Sequence, residues 1–163
     1  MKITKTLDVK TPCRGTSRSA GVDFFVPNDT MAFREKLAQK NPNIFITDSG
    51  FSIPAHKRVN IPSGIMANVP TGFALIAFNK SGVSLNYGLD VGACVVDEDY
   101  QGEIHLSLVN TSNEAVFIEF GQKIVQFILL PVFYDNIYET TLEDCFDTTS
   151  ERGSGGFGST GIK

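Results

Sequence analysis

From Phe51 to Pro131 the chain repeats one pattern: a short run rich in Val, Ile and Phe, then a turn. The runs fall near Phe51–Ile53, Arg58–Ile61, Gly64–Val69, Phe73–Phe78, Leu89–Val91, Cys94–Val96, Glu103–Asn110, Ala115–Phe120 and Lys123–Leu130. Turns about every ten residues, with Pro54, Pro62, Pro70 and Pro131 at strand ends where a missing N–H is tolerated, predict an all-β sandwich, jelly roll or barrel. Upstream, Ile3, Leu7 and Val9 give a partial period-2 strand that Thr11-Pro12 ends, and Gly21–Val26 is a second short strand. The pattern changes over residues 28–48. There Thr30 or Asp29 can cap a helix over Met31–Gln39, with Phe33 and Leu37 on one face and Asn41-Pro42 stopping it. A helical excursion packed on the surface is expected. After Pro131 the strand pattern fades into a mixed, acidic stretch.

Composition narrows the classes. At 163 residues, 42% hydrophobic and 20% charged, the chain is globular and of single-domain length. A net charge of −4 gives no general attraction to nucleic acid or to anionic membranes. No apolar run reaches the roughly 18 residues of a membrane span, and the N-terminal segment lacks the apolar block of a signal peptide. Cys13, Cys94 and Cys145 are odd in number and far apart, and only His56 and His105 are present, so no disulfide framework or zinc knuckle is indicated. A reducing cytoplasm (a host's, if the source is viral) is the expected setting.

Four stretches carry candidate chemistry. Gly88–Glu103 reads as two short strands, Leu89–Val91 and Val95–Val96, joined by a Gly92-Ala93 turn and followed by Asp97, Glu98 and Asp99. A carboxylate on rigid backbone suits a general base; an acidic turn that keeps a sheet edge soluble is the plainer reading. Asp23 sits inside an apolar strand, where it needs a cation or several N–H partners. Asn79-Lys80-Ser81-Gly82 joins a cation, a hydroxyl and a glycine in one turn, either an anion nest or an ordinary polar turn. Finally, five of the ten residues from Arg152 to Gly161 are glycine, with Phe157 among them. Such a segment builds no core, but it could strap a phosphorylated, planar ligand: Phe157 stacking on a base, Arg152, Ser159 and Thr160 on phosphate.

Taken together, Ala20–Phe24, Lys80–Ser84, Asp90–Gly102, Gly121–Ile128 and Arg152–Gly161 resemble, in order and content, the five motifs of the trimeric dUTP pyrophosphatases. The resemblance covers nearly the whole chain apart from residues 28–48. It implies a jelly-roll β-barrel over residues 1–147 and a flexible C-terminal arm over 148–163. It further implies a homotrimer with active sites at subunit interfaces, hydrolysing dUTP to dUMP and pyrophosphate with Mg²⁺. By that resemblance Asp97 would activate the water that attacks the α-phosphorus. The hairpin backbone of Gly92–Val96 would read uracil, and Tyr100 would pack beneath the deoxyribose. Asp23 would hold Mg²⁺ through water. Lys80, Ser81, Gly82 and Gln126 would meet phosphate. Arg152, Phe157, Gly158, Ser159 and Thr160 would form the closing tail, donated by another subunit.

Four positions depart from the family pattern. Lys80 stands where Arg is usual, which turns a bidentate clamp into a point charge. Gln101 and Gln122 replace an Arg and an Asp, and Cys94 replaces a Gly. Cys94 is expected to face the core as a small hydrophobe, and Glu98 and Asp99 to be solvated turn charges. Two other readings stay in view: a dCTP deaminase or bifunctional relative on a related barrel, and a trimeric nucleotide-binding regulatory protein.

Overall fold

The computed structural model describes residues 1–156 and 159. The strands are β1 (Lys2–Lys5), β2 (Val22–Phe25), β3 (Phe45–Ile46), β4 (Gly50–Ile53), β5 (Arg58–Pro62), β6 (Ile65–Asn68), β7 (Phe73–Asn79), β8 (Leu89–Val91), β9 (Val95–Val96), β10 (His105–Asn110), β11 (Val116–Glu119) and β12 (Lys123–Pro131). Two helices interrupt them, α1 (Met31–Lys40) and α2 (Ser81–Tyr87). The strands pair antiparallel in four small sheets, ordered β1-β6, β5-β10-β8, β11-β4-β3 and β2-β12-β7-β9. The fold is an all-β jelly roll, one of the architectures the strand spacing allows and the one the resemblance implies.

Alternation explains which faces close on the core. Along β10 half-buried and buried residues alternate without a break, so Leu106, Leu108 and Asn110 point inward. Leu106 and Leu108 belong to one core cluster with Phe24, Phe51, Ile61, Leu75 and Phe127, each almost fully buried. Burial of one such side chain contributes roughly 1.5–3 kcal/mol. Asn110 is the polar exception. Its amide faces the carbonyls of Ile53, Pro54 and Glu114, and its oxygen accepts from the Ser112 N–H and hydroxyl, so no polar atom is stranded.

The helical excursion belongs to this core. Thr30 caps α1 by accepting from the Phe33 N–H, and Phe33 and Leu37 are completely buried, with the Phe33 ring edge-on to Phe120 at 5.9 Å. Asn41 ends the helix and lends its side chain to the free side of β5, accepting from the Asn60 N–H and donating to the Asn60 carbonyl. A side-chain amide thus stands in for a neighbouring strand. Lys36 meets Glu103 at 2.8 Å, tying α1 to the segment that follows Tyr100.

The expected first strand is shorter than its pattern: β1 ends at Lys5, although Val9 is buried. The short β3 and the whole of α2 are absent from the sequence reading. Gly82, Val83, Ser84 and Asn86 are weak helix formers, so α2 looks like a turn on propensity alone. Burial of Val83 and the left-handed Gly88 (φ 64°), where a Cβ would press on Ser112, close the helix from outside.

The chain divides into two units, Met1–Phe133 and Tyr134–Lys163, and every strand and helix named above lies in the first. In the second, Ile137, Tyr138, Leu142 and Phe146 are exposed, and turns form at Thr141–Asp144 and Ser150–Gly155. Among the described residues, no helix is long and apolar enough to cross a membrane.

Candidate active site

Asp23 anchors one part of the site. It sits on β2 with 6% exposure, its Oδ1 bound by Lys80 and its Oδ2 at 3.3 Å from the Lys123 ammonium. Burial works against its ionisation, but the two ammonium groups outweigh that penalty and hold its carboxyl below the ordinary carboxylate range. Gln126, paired across the strands with Asp23, donates to the Asn79 carbonyl and lies over Gly21. A Cβ at Gly21 would come within 2.2 Å of the Gln126 side-chain oxygen, so any larger residue there would force Gln126 to move. The structure therefore gathers Asp23, Lys80, Ser81, Gly82 and Gln126. It adds Lys123, which sequence reasoning missed: on a regular strand a residue three before Gln126 faces the other way, and no signal in the sequence marks the irregularity that turns it.

The residues after Lys80 open α2, and the Ser81 and Gly82 amides belong to the first turn, which has no intrahelical acceptor. This replaces the expected turn, whether anion nest or ordinary polar turn, with a helix end. Asp90 fixes the helix to β8 by accepting from Ser84 Oγ at 2.6 Å and from the Asn79 side-chain amide at 2.8 Å. The Asn79 oxygen accepts from the Val91 N–H at 2.7 Å.

Asp97 lies elsewhere, and three expectations about its surroundings fail. Gly92–Val96 does not form a paired hairpin with β8. β8 pairs with β10, whereas β9 pairs with β7, so residues 92–94 cross between sheets. The Gly92 N–H donates to Ser107 and the Cys94 carbonyl accepts from Ala77, and these bonds hold the crossing open and rigid. Cys94 is exposed and not in the core, because in this crossing the chain has left both sheet faces. Glu98 is not simply solvated: it accepts from the Gly72 N–H. Asp97 and Asp99 are exposed, Val96 is buried, and Tyr100, 43% exposed, donates its hydroxyl to the Glu103 carbonyl. Gln122 accepts from the Glu119 N–H and so closes the β11–β12 turn.

Sheet register shows how far apart the two parts are. In the order β2-β12-β7-β9, Asp23 is on one edge strand and Asp97 directly follows the other, three strand spacings away, or ~14 Å. Val96 pairs with Leu75, so Asp97 falls level with Ala74, whose partner Leu130 lies four residues beyond Gln126, the partner of Asp23. That adds ~13 Å along the strands, for a backbone separation of about 19 Å. Cavities of about 370 and 500 Å³ lie elsewhere. The first includes Glu98, Tyr100 and Gln101, the second Lys40, Lys57 and Arg58, and neither includes Asp23, Lys80 or Asp97.

Of the expected tail residues, Arg152 donates from Nε to the Gly155 carbonyl at 2.8 Å, and the Ser159 N–H donates to Gly156. Phe157, Gly158 and Thr160 lie outside the described residues. Among the described residues no three His, Cys, Asp or Glu side chains cluster as a metal cage. Asp23 as a single carboxylate fits Mg²⁺, which keeps its waters and is shared with substrate phosphates.

The jelly roll carries a charge-ringed carboxylate on one side and an open, acid-ended crossing on the other. Comparison narrows the class. A family model described as dUTPase matches residues 46–161, beginning after α1. The chain is 38% identical over 118 residues to the deoxyuridine 5'-triphosphate nucleotidohydrolase of Desulfitobacterium hafniense, covering 71% of this chain and 76% of that one. The dUTPase of Staphylococcus bacteriophage 80alpha, solved with dUPNHPP, superposes with a TM-score of 0.75 at 19% identity, over 99% of this chain and 98% of that one. The dUTPase of phage phi11 of S. aureus, described with a structural Mg(II) ion, gives 0.68 at 14% identity, over 90% and 98%. The chain belongs to the dUTPase family.

Proposed function

We propose that the chain hydrolyses dUTP to dUMP and pyrophosphate at sites shared between the subunits of a homotrimer. The observation that carries this is the register, which puts Asp23 and Asp97 at opposite edges of one four-stranded sheet, about 19 Å apart along its surface and too far for one water and one phosphate to bridge. In a closed ring, Asp97 of one copy can face the Asp23 rim of the next.

Each residue then has a definite task. Asp97, exposed and held by the buried Val96 before it, takes the proton from the attacking water. The exposed crossing at Gly92–Val95 offers backbone to the uracil edge, where amides and carbonyls that pair with uracil would be mismatched against cytosine, a discrimination worth ~10⁴–10⁵. Tyr100 presents its ring to the sugar. Lys80, the Ser81 and Gly82 amides and Gln126 orient the phosphates. Asp23 would hold hydrated Mg²⁺ through water, and the ion would supply charge neutralisation at the phosphate oxygens. The 148–163 arm, with Arg152, Phe157, Gly158, Ser159 and Thr160, is assigned to another copy and excludes bulk water.

The test uses two inactive proteins. Asp97→Asn and Asp23→Asn are each purified, mixed, unfolded and refolded together, and pyrophosphate release from dUTP with Mg²⁺ is followed. Shared sites restore activity at about a quarter of the wild-type level, because random assembly joins an intact Asp97 to an intact Asp23 at that frequency. A mixture no more active than its components defeats the shared-site reading. Ammonia release from dCTP, measured alongside, separates the deaminase alternative.

A further inference from the structure

Asp23 is met by two cations, and the second reaches it through an irregular strand. The pairing of β12 with β2 shifts register between Lys123 and Val125. Ile124 and Val125 are consequently both buried, while Lys123 and Gln126 project away from the core. In an unbroken strand, residues three apart face opposite ways; here the bulge puts them on one face, flanking Asp23. Bulges of this kind re-aim side chains beside functional sites.

The two ammonium groups divide the carboxylate. Lys80 holds Oδ1 and Lys123 lies 3.3 Å from Oδ2. They differ in exposure: the Lys80 side chain is 20% exposed and that of Lys123 54%. Lys80 is also the cation adjoining Ser81 and Gly82, so the ammonium that neutralises Asp23 is the one a phosphate would draw away. Left without a partner, a carboxylate as buried as Asp23 is strongly disfavoured, and that penalty would oppose the departure of Lys80.

We propose that Lys123 is a positioning residue, the standing counter-ion of Asp23, whose presence frees Lys80 to move from the carboxylate to substrate phosphate. This rests on the phosphate-binding role of Lys80 in the reading above. Two opposed effects follow from removing Lys123. Lys80 is held more tightly by Asp23, so polyphosphate binds more weakly. Asp23 meanwhile carries more uncompensated negative charge, so less Mg²⁺ is needed.

The experiment is a double-mutant cycle of Lys80→Met and Lys123→Met in the full chain, with Lys123→Arg as control. Calorimetry in EDTA reads the affinity for dUpNHpp and, separately, for inorganic tripolyphosphate. Lys123→Met should weaken both about tenfold, Lys123→Arg by no more than about twofold, and Lys123→Met should change nothing further in the Lys80→Met background. In dUTP hydrolysis the Mg²⁺ concentration for half-maximal rate should fall in Lys123→Met. A purely structural Lys123 would lower melting temperature while leaving both affinities intact, and that result overturns the proposal. So do additive losses in the cycle, which would mean Lys123 acts without Lys80. If the wild type fails with dUTP and dUpNHpp yet binds tripolyphosphate with the expected coupling, the nucleotide reading fails and this one stands. No tripolyphosphate binding defeats this proposal.

Discussion

The two ends of β7 carry opposite kinds of chemistry. At its C-terminal end, Asn79 and Lys80 join a closed network in which Asp23, Gln126, Asp90 and Ser84 all have partners. Toward its N-terminal end, β9 and the residues around it leave Gly92–Val95 and Asp97 exposed. The end assigned to phosphate is a set of charges that neutralise one another, because buried charge has to be compensated within the chain. The end assigned the base needs no such compensation, because its acid is solvated and its rigidity comes from backbone bonds to Ser107 and Ala77. One end is closed on itself, and the other is open.

The largest effect should come from the open end. Asp97→Asn should lower kcat by ~10²–10⁴ with dUpNHpp affinity largely kept, since only the base is lost. Its neighbour supplies the control: Glu98→Gln, which keeps an acceptor for the Gly72 N–H, should cost less than tenfold. Steady-state kinetics on both variants decide this, and equal losses would erase the distinction between Asp97 and its neighbours. Removal of residues 152–163 comes next, with a fall in dUTP turnover of about 10²-fold as ordering of the ligand is lost. The circular dichroism spectrum should be preserved, because the strands and helices all lie in Met1–Phe133.

The strands were legible because alternation of Val, Ile and Phe with polar residues states directly which face is buried, and β10 obeys it at every position. The helix α1 was legible through its Thr30 cap and the Phe33/Leu37 pair. What the sequence hid was set by distant contacts. Propensity over Ser81–Tyr87 is weak, and the helix is held by burial of Val83 and by Thr111, which donates to the Gly88 carbonyl at its C-terminal end. The bulge that turns Lys123 onto Asp23 is a property of two paired strands. The hairpin expected at Gly92–Val96 fails for the same reason: local turn chemistry cannot say that β8 and β9 enter different sheets. Asp23 was singled out correctly as a costly carboxylate, but its second partner was not.

At the closed end, acid is the probe. The folded-state carboxyl of Asp23 is held below its unfolded range, so the stability it contributes is present above the ordinary carboxylate range and is lost as pH falls through that range and below it. Asp23→Asn removes the charge that Lys80 and Lys123 share, and should lower stability at neutral pH. The difference between variant and wild type should then shrink steadily as pH falls. Urea denaturation from neutral pH down to pH 3 measures both curves; a gap that stays constant with pH would mean the carboxylate charge contributes nothing to the fold.

The smallest effect is expected at Cys94, and its smallness is what makes it informative. A thiol packed in the core, as the sequence suggested, would lose transfer free energy and strand a hydroxyl on change to Ser, a cost of roughly 1–3 kcal/mol. In the crossing between β8 and β9 the side chain is exposed, so Cys94→Ser should alter stability by no more than ~0.5 kcal/mol. The same exposure places the thiol beside the backbone assigned to uracil. Alkylation by iodoacetamide, run on a Cys13→Ser, Cys145→Ser background so that one thiol reacts, should therefore raise KM for dUTP several-fold while the melting temperature holds. A modification that unfolds the protein would return Cys94 to the core, and one that changes neither KM nor stability would move the uracil contact off this crossing.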